Sequence, residues 1–345
     1  MRFLLLIFII LSSTLNIGCS VKSSKKSDFL MNVSQLDEEE EIYLQKKILI
    51  NEMLFSSKTL HQISWPILKN NKDKCSKTNS YSFGILFASA EDLPKKDRKY
   101  FQPILNDNIS PVYLKRYNTE NLPVIVSVAK NSPAYKSNII EGDIVLKINN
   151  LEVKGFRKKL RSAYSSSSLL TLTLLRNNRV LEKKINGIIA CNYNIQPIPS
   201  AAPNAYADGE KVYITLAAIK LARTVDELAF LIGHELAHNI FHYKYFHGSE
   251  ANTMTINYMD APKIKNLNSF FLVSTQKKET EADLKGVEIA FKGGFALNNV
   301  NDYWRRLSVF NPSLISSSSA NYKSNALRAI LISKKLKELR NNAEE

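Results

Sequence analysis

Apolar and polar residues alternate along the 345-residue chain with periods that change from stretch to stretch. Residues 3–11 (FLLLIFIIL) are an unbroken apolar run behind Met1 and Arg2, too short to span a bilayer and placed like the core of a secretory signal. Residues 20–36 are polar and lysine-rich, the composition of a tether. From residue 37 to about residue 55, Ile42, Leu44, Ile48, Leu49, Met53 and Leu54 predict an amphipathic helix. The acids at 38–41 complement its dipole and are a solvated helix start, not metal ligands. Leu170, Leu172 and Leu174 alternate with Thr171 and Thr173, a strand pattern. Over residues 224–241, Leu228, Leu231, Ile232, Leu236 and Ile240 recur at helical spacing behind Thr224 and Glu227, a capping-box pair, so this stretch is a buried helix. A further helix opens at residues 279–283, continues through Leu284, Val287, Ile289, Ala290 and Phe291, and stops at Gly293 and Gly294. Residues 244–276 hold Pro262, many asparagines and one short apolar cluster at 270–273, with no membrane span. The chain ends in an amphipathic basic helix at 326–339.

The buried helix carries the sequence HELAH. At about 100° per residue, His234 and His238 sit one turn apart on the same face. Two neutral imidazoles can hold Zn²⁺ and leave a position open for water, whose proton Glu235 can take. The third ligand decides the class. A metzincin would need Gly at 241 and His at 244, where Phe241 and Lys244 stand. A gluzincin needs a carboxylate on a second helix, and Glu279 and Asp283 lie one turn apart there. One of the two can bind the metal while the other accepts a hydrogen bond from a ligand imidazole.

HELAH followed about forty residues later by Glu279-Thr280-Glu281-Ala282-Asp283 resembles metallopeptidase family forty-eight, the gluzincins that include HtpX-type proteases and CAAX prenyl proteases. Asn204-Ala205-Tyr206-Ala207-Asp208-Gly209, then Val212 to Thr215, is similar to that family's N-A-x-A-x-G and following strand. The resemblance implies one Zn²⁺ per chain, protein or peptide substrates, and a strand at Asn204, Ala205 and Tyr206 that aligns them. Alignment and geometry together make Glu279 the third ligand beside His234 and His238. Asp283, with its shorter side chain, supports a ligand histidine, and Glu281 lies about 200° round the helix from Glu279. His242 and His247 are read as structural or cleft-lining, and His61 as structural. Asp302 to Arg306 resembles the family's F-W-x-R packing helix. Where relatives carry T-H-P and then an arginine, this chain has Ser317, Ser318 and Ser319, then Ser324. Arg328, one turn on, stands ready to compensate.

Upstream, Tyr81-Ser82-Phe83-Gly84-Ile85, Ile125 to Val128, Ser132-Pro133-Ala134, Glu141-Gly142-Asp143-Ile144-Val145 and Ile148-Asn149 resemble, in that order, the PDZ domains of envelope proteases. Asn150 replaces a usual Gly, and Asn138 stands where an Ala-Gly pair is common. The resemblance implies that Phe83, Gly84 and Ile85 offer backbone donors to a peptide's terminal carboxylate. Cys75 and Cys191 flank this region, and because the ends of such a domain lie close together, a bridge between them is expected. Neither cysteine stands near a motif for nucleophilic catalysis.

The expected architecture is therefore α+β: a signal at 1–18, a tether and helical segment at 19–79, a PDZ-like β-rich domain at 80–191, and a mostly helical gluzincin domain with a small sheet at 192–345. Net charge is +15 and the pI near 9.5, but the lysines are scattered and no nucleic-acid motif accompanies them. An anionic membrane surface or a lysine-rich composition accounts for the charge, and no nucleic-acid partner is expected. Gly18-Cys19 resembles a bacterial lipobox, with Leu15 one residue early and Asn16 in its place. Ser20 after Cys19 gives no retention signal for the inner membrane, so the expectation is an exported lipoprotein facing the periplasm from the outer membrane. The rival readings are an envelope chaperone or binding lipoprotein with little proteolysis, and an inactive structural zincin. No pattern in the chain fixes its oligomeric state. Intact-mass measurement of membrane-extracted protein is expected to show cleavage before Cys19 and acyl chains on it; an unmodified Cys19 overturns the anchor.

Overall fold

The structure, a computed structural model, describes residues 35–75, 78–101, 122–243 and 275–344. Cys19, the signal, most of the expected tether and His247 lie outside the described residues. The chain divides into two compact units, Met1–Gln45 and Lys46–Glu345. The described part of the first is the acidic start of helix α1 (Gln35–Asn70), with side-chain bonds from Gln35 to Glu39 and from Gln45 to Glu41 along its surface.

Within the second unit α1 runs on well past residue 55, where the amphipathic pattern gives out. The reason is burial on more than one face: Leu60, Ile63, Ile67 and Leu68 enter an apolar core, while Ser56, Ser57, His61 and Ser64 are buried as well. A helix covered on several sides loses its two-faced pattern. Pro66 is accommodated inside it.

The β-rich body follows. Its strands are β1 (Asn79–Ser82), β2 (Ile85–Ala88), β3 (Val124–Val128), β4 (Ile144–Ile148), β5 (Leu151–Glu152), β6 (Leu169–Arg176), β7 (Arg179–Asn186) and β8 (Ile188–Cys191), with short helix α2 (Pro133–Lys136) and helix α3 (Phe156–Ser166) between them. A six-stranded antiparallel sheet has the order β2-β3-β4-β6-β7, with β5 paired to β4, while β1 pairs with β8. The β6–β7 hairpin turns through Asn177 and Asn178, both at positive φ, as a two-residue turn of this hand requires. Leu170, Leu172 and Leu174 are buried and pack with Phe83, Ile125, Phe156 and Tyr164, while the intervening threonines are half-buried. Buried Asp143 accepts two bonds of 2.6 Å from Arg176, which locks β4 to the end of β6.

The C-terminal body holds a three-stranded sheet and a set of helices, so the fold is mixed α+β. The strands are β9 (Asn194–Ile198), β10 (Ala205–Ala207) and β11 (Lys211–Thr215) in the order β10-β11-β9, with β10 at an edge. Helices α4 (Leu216–Leu221), α5 (Val225–Ala237), α6 (Gln276–Lys292), α7 (Asn301–Leu307) and α8 (Asn325–Glu344) pack around one core that includes the buried end of α1. The Thr224 side chain caps α5 by accepting from Glu227 N at 3.2 Å. Past Ala237 the helix continues for His238–His242 with the wider π-type bonding.

Cys75 and Cys191 form a disulfide with a Cα–Cα separation of 5.4 Å, joining the stretch after α1 to the end of β8. It closes a sequence separation of 116 residues, which contributes roughly 4–5 kcal/mol in the chain-entropy model. Replacing both cysteines with serine is expected to remove about 2–5 kcal/mol of unfolding free energy, measured by urea denaturation. An unchanged midpoint would overturn this.

Candidate metal centre

The site begins with two glycines. A Cβ on Gly233 of α5 would stand 2.5 Å from the carbonyl oxygen of Gly286 on α6, and a Cβ on Gly286 would stand 2.7 Å from His234 N. Real side chains do not approach so closely, so α5 and α6 meet backbone to backbone. His234 follows one of these glycines, and Glu279 and Asp283 precede the other by two turns and one turn.

This crossing gathers three candidate ligands. His234 Nε2 lies 3.3 Å from His238 Nε2 and 3.3 Å from Glu279 Oε2, and His238 Nε2 lies 3.5 Å from Glu279 Oε1. One donor atom from each of the three falls within 4.8 Å of the others, and all three side chains are buried. Two imidazole nitrogens and one carboxylate oxygen are the donor set of a three-residue zinc site with a free position. Glu235, next to His234 and also buried, has an Oε2 atom without a hydrogen-bond partner. The residues present therefore fit a metal ion.

A second ring of side chains holds the first. His234 Nδ1 is 3.0 Å from Asp283 Oδ1, and Asp283 accepts from Arg328 Nε at 2.7 Å and Nη2 at 2.8 Å. The Arg328 guanidinium lies 3.9 Å above the Trp304 ring, whose neighbour Phe230 meets His234 edge-on. Arg328 comes from α8, and it ties the last helix to a ligand through one carboxylate. Around His238, Nδ1 is 2.9 Å from His242 Nδ1, and His242 Nε2 is 3.3 Å from Glu281 Oε2. Each ligand imidazole thus has its outward nitrogen engaged, which fixes the ring and leaves Nε2 facing the cluster.

Burial and these partners set the charges. Burial disfavours a proton on His234, yet the hydrogen bonds to Asp283 and Glu279 outweigh it and push its pKa up to about 10. Burial alone would raise Glu279, but the two imidazoles hold it well below the usual carboxylate range. Asp283 is likewise lowered, with Arg328 overcoming its burial. Glu235 is pushed up to about 7, chiefly by burial. His238 is lowered, chiefly by burial.

Asn204, Ala205 and Tyr206 stand at the edge of the small sheet, where β10 pairs with β11 and packs near α5. Asn204 N donates to Thr215 Oγ1 at 2.9 Å, and Asn204 Nδ2 to Tyr206 Oη at 2.9 Å. The turn after β10 is fastened to the π-type continuation of α5. Gly209 N donates to Asn239 Oδ1 at 2.7 Å, and Tyr243 Oη donates to Ala207 O at 2.7 Å. Gly209 is at φ +95°, and a Cβ there would press to 3.0 Å from the Tyr243 ring. Phe83, Gly84 and Ile85 lie in the β-rich body and do not join the cluster. Among the serines at 317–319 and 324, Ser318 Oγ accepts from Ser324 N at 3.2 Å, Ser319 Oγ accepts from Tyr322 N at 3.0 Å, and Ser319 O accepts from Gln276 Nε2 at the start of α6 at 2.6 Å.

Local spacing puts Glu281 off the ligand face and gives it no partner, reads His242 as structural or cleft-lining, and gives the two glycines no role in the site. A glycine inside an otherwise regular helix was the available signal for the crossing. The reach of Glu281 to His242, 39 residues away, has no counterpart in local spacing.

Comparison with known proteins gives two family matches: residues 104–186 match the PDZ domain, and residues 180–242 match Peptidase family M48. The first begins downstream of Phe83–Ile85, and the second contains His234, Glu235 and His238. No curated protein matches. Among solved structures, the HtrA3 PDZ domain bound to a phage-derived ligand (FGRWV) is similar at 22% identity and a TM-score of 0.23, covering 32% of this chain and 88% of that one.

Two substitutions separate the crossing from the outer ring. Gly286→Ala is expected to force the helices apart and abolish tight metal binding in a protein whose circular dichroism is retained. Asp283→Asn is expected to weaken metal binding by about 10- to 100-fold, read by competition with a chelator of known affinity. Unchanged affinity in Gly286→Ala would remove the crossing as the cause of the geometry.

Proposed function

We infer that this chain, a metallopeptidase of family M48 with a PDZ domain, is a zinc-dependent endopeptidase that works in the bacterial cell envelope. The observation that carries this reading is the buried cluster of His234, His238 and Glu279 beside an unpartnered carboxylate oxygen of Glu235. When bound, Zn²⁺ supplies a Lewis acid that polarises the scissile carbonyl and makes water a better acid. The side chains divide the remaining work. His234, His238 and Glu279 hold the ion, and Asp283 with Arg328 keeps His234 oriented. Glu235 takes the proton from the attacking water and gives it to the departing amine; a pKa near neutrality suits both transfers. The edge strand at Asn204, Ala205 and Tyr206 lays an extended substrate along β10, since a sheet edge offers main-chain partners to another strand.

The envelope setting rests on the signal-like N-terminus, on Gly18-Cys19, and on the Cys75–Cys191 bridge, a bond favoured in oxidising compartments. Protein quality control is the process proposed. Glu235→Gln is expected to keep the metal and lose cleavage by about 10²- to 10⁴-fold. In an envelope pulldown the same variant should retain proteins that the wild type cuts. Stable partners that wild type never cuts would favour the chaperone reading instead.

Zinc loading is also expected to release protons. Without the ion, His234 keeps its proton at neutral pH, because its folded pKa lies near 10, and a ligand imidazole must lose that proton. Apparent affinity should therefore rise as pH rises from 6 toward 9, with about one proton released per ion near pH 7.5, measured by calorimetry in buffers of different ionisation enthalpy. Affinity independent of pH across that window would contradict the charge assignment.

A further inference from the structure

The loop assigned to carboxylate capture lies beneath other parts of the same chain. Ser82, Phe83, Gly84 and Ile85 are all buried, Phe83 completely. Beside Gly84 and Ile85 there is a small cavity of about 20 Å³, room for about one water molecule. Tyr164 of α3 forms one wall, and Trp65 and Leu68 of α1 with Tyr193 and Ile195 form the others. The terminal residue of a peptide, with its carboxylate and side chain, does not fit into that space.

α1 is fastened in this position by polar bonds as well as by apolar packing. Gln62 Nε2 donates to Ser127 Oγ at 2.8 Å and to Val128 O at 2.9 Å, while Lys130 N donates to Gln62 Oε1 at 3.3 Å. His61 Nδ1 is 3.0 Å from Ser127 Oγ. Leu86, directly after the loop, shares a core with Leu60, Ile63 and Ile195 instead of with its own sheet's interior. The carbonyl of Phe87 on β2 is already taken by Arg157 Nη2 at 3.2 Å. An edge strand left for a ligand would show open backbone and some exposure, and all four residues of β2 are buried.

We propose that the surface of the PDZ domain around Phe83–Ile85 is occupied by the chain's own helix α1, and that a peptide terminus enters only when the turn carrying Trp65 and Leu68 swings away. The fitted partner is internal, and an external ligand must compete with it. The apparent affinity for a free carboxylate terminus is then reduced by the small fraction of molecules in which α1 has lifted.

The full, metal-loaded chain tests this with two variants, Trp65→Ala, which thins the wall of the cavity, and Gln62→Ala, which removes the bonds to β3 at a partly exposed position. Fluorescent peptides ending in Ala, Val, Leu or Phe, each as free acid and amide, are titrated by anisotropy while hydrogen exchange follows residues 82–86. Wild type should show protected loop amides and no saturable binding in the micromolar range. At least one variant should exchange faster in the loop and bind a free acid at least about tenfold more tightly than its amide. Amide-sensitive binding by wild type as tight as by the variants overturns the proposal. Loop amides that stay protected in both variants show that α1 is not the seal, and a loop that opens without binding any free acid shows that it is not a carboxylate site. Either result also overturns it.

Discussion

A methyl group on Gly233 or Gly286 would lie under 3 Å from the backbone of the opposing helix, so α5 and α6 approach as closely as bare Cα atoms allow. Everything at the candidate metal centre depends on that approach. His234 leaves α5 one residue after the contact, and Glu279 and Asp283 leave α6 on the turns before it, so the ligand atoms converge without long side chains reaching across a gap. A mid-helix glycine costs about 0.5–1 kcal/mol relative to alanine, and two of them here are a local instability that only the crossing explains. The surrounding core, with Ala282, Val287, Ala290 and Leu236 all buried, supplies the packing that offsets it.

Such closeness brings a charge problem. Glu235, Glu279 and Asp283 are all buried within one small volume, and buried carboxylates without compensating cations are strongly unfavourable. Within the chain the compensation comes from Arg328 on Asp283 and from the proton on His234. A divalent cation in place of the His234 proton would neutralise more of that charge. The same balance explains why α8 belongs to the site although it carries no ligand. Stacking of Arg328 between Trp304 and Tyr322 holds the guanidinium plane for a two-pronged bond to Asp283.

The parts of this arrangement that were legible in the sequence are those written in local spacing. The i, i+4 pair of His234 and His238, the Thr224 cap and the stop at Gly293 each depend on residues within a turn of one another. Even there, only half of the capping box forms: Glu227 turns from the cap to accept from Arg223 N at 2.8 Å and to pair with Arg306, a residue 79 positions away. The rest was hidden because it is made by distant partners. The end of α1 shows no amphipathic pattern, since several of its faces are covered, and the cover that Trp65 and Leu68 add beside Gly84 and Ile85 comes from a helix that precedes the loop in the chain but has no motif of its own. Arg328 could be noted as standing near the place of a missing arginine, but its bond to Asp283 follows only from the way α8 returns across α6.

α1 also explains why the two bodies share a core. Around residues 61–62 it is bonded to β3, and about two and a half turns later Asn71 Nδ2 donates to Ile289 O at 2.9 Å while Asn70 Nδ2 donates to Lys292 O at 3.1 Å, at the end of α6. Ile67 sits where a Cβ on Gly293 would stand 2.8 Å away, so this end of α1 has no slack against α6. At 1.5 Å per residue the two attachments are about 13 Å apart along a helix, a span that does not stretch. The disulfide then ties the turn beyond α1 to β8, directly before the strand that enters the three-stranded sheet. A helix held at one end by β3 and at the other by the helix that carries Glu279 can lift at Trp65 and Leu68 only when one of the two attachments is released.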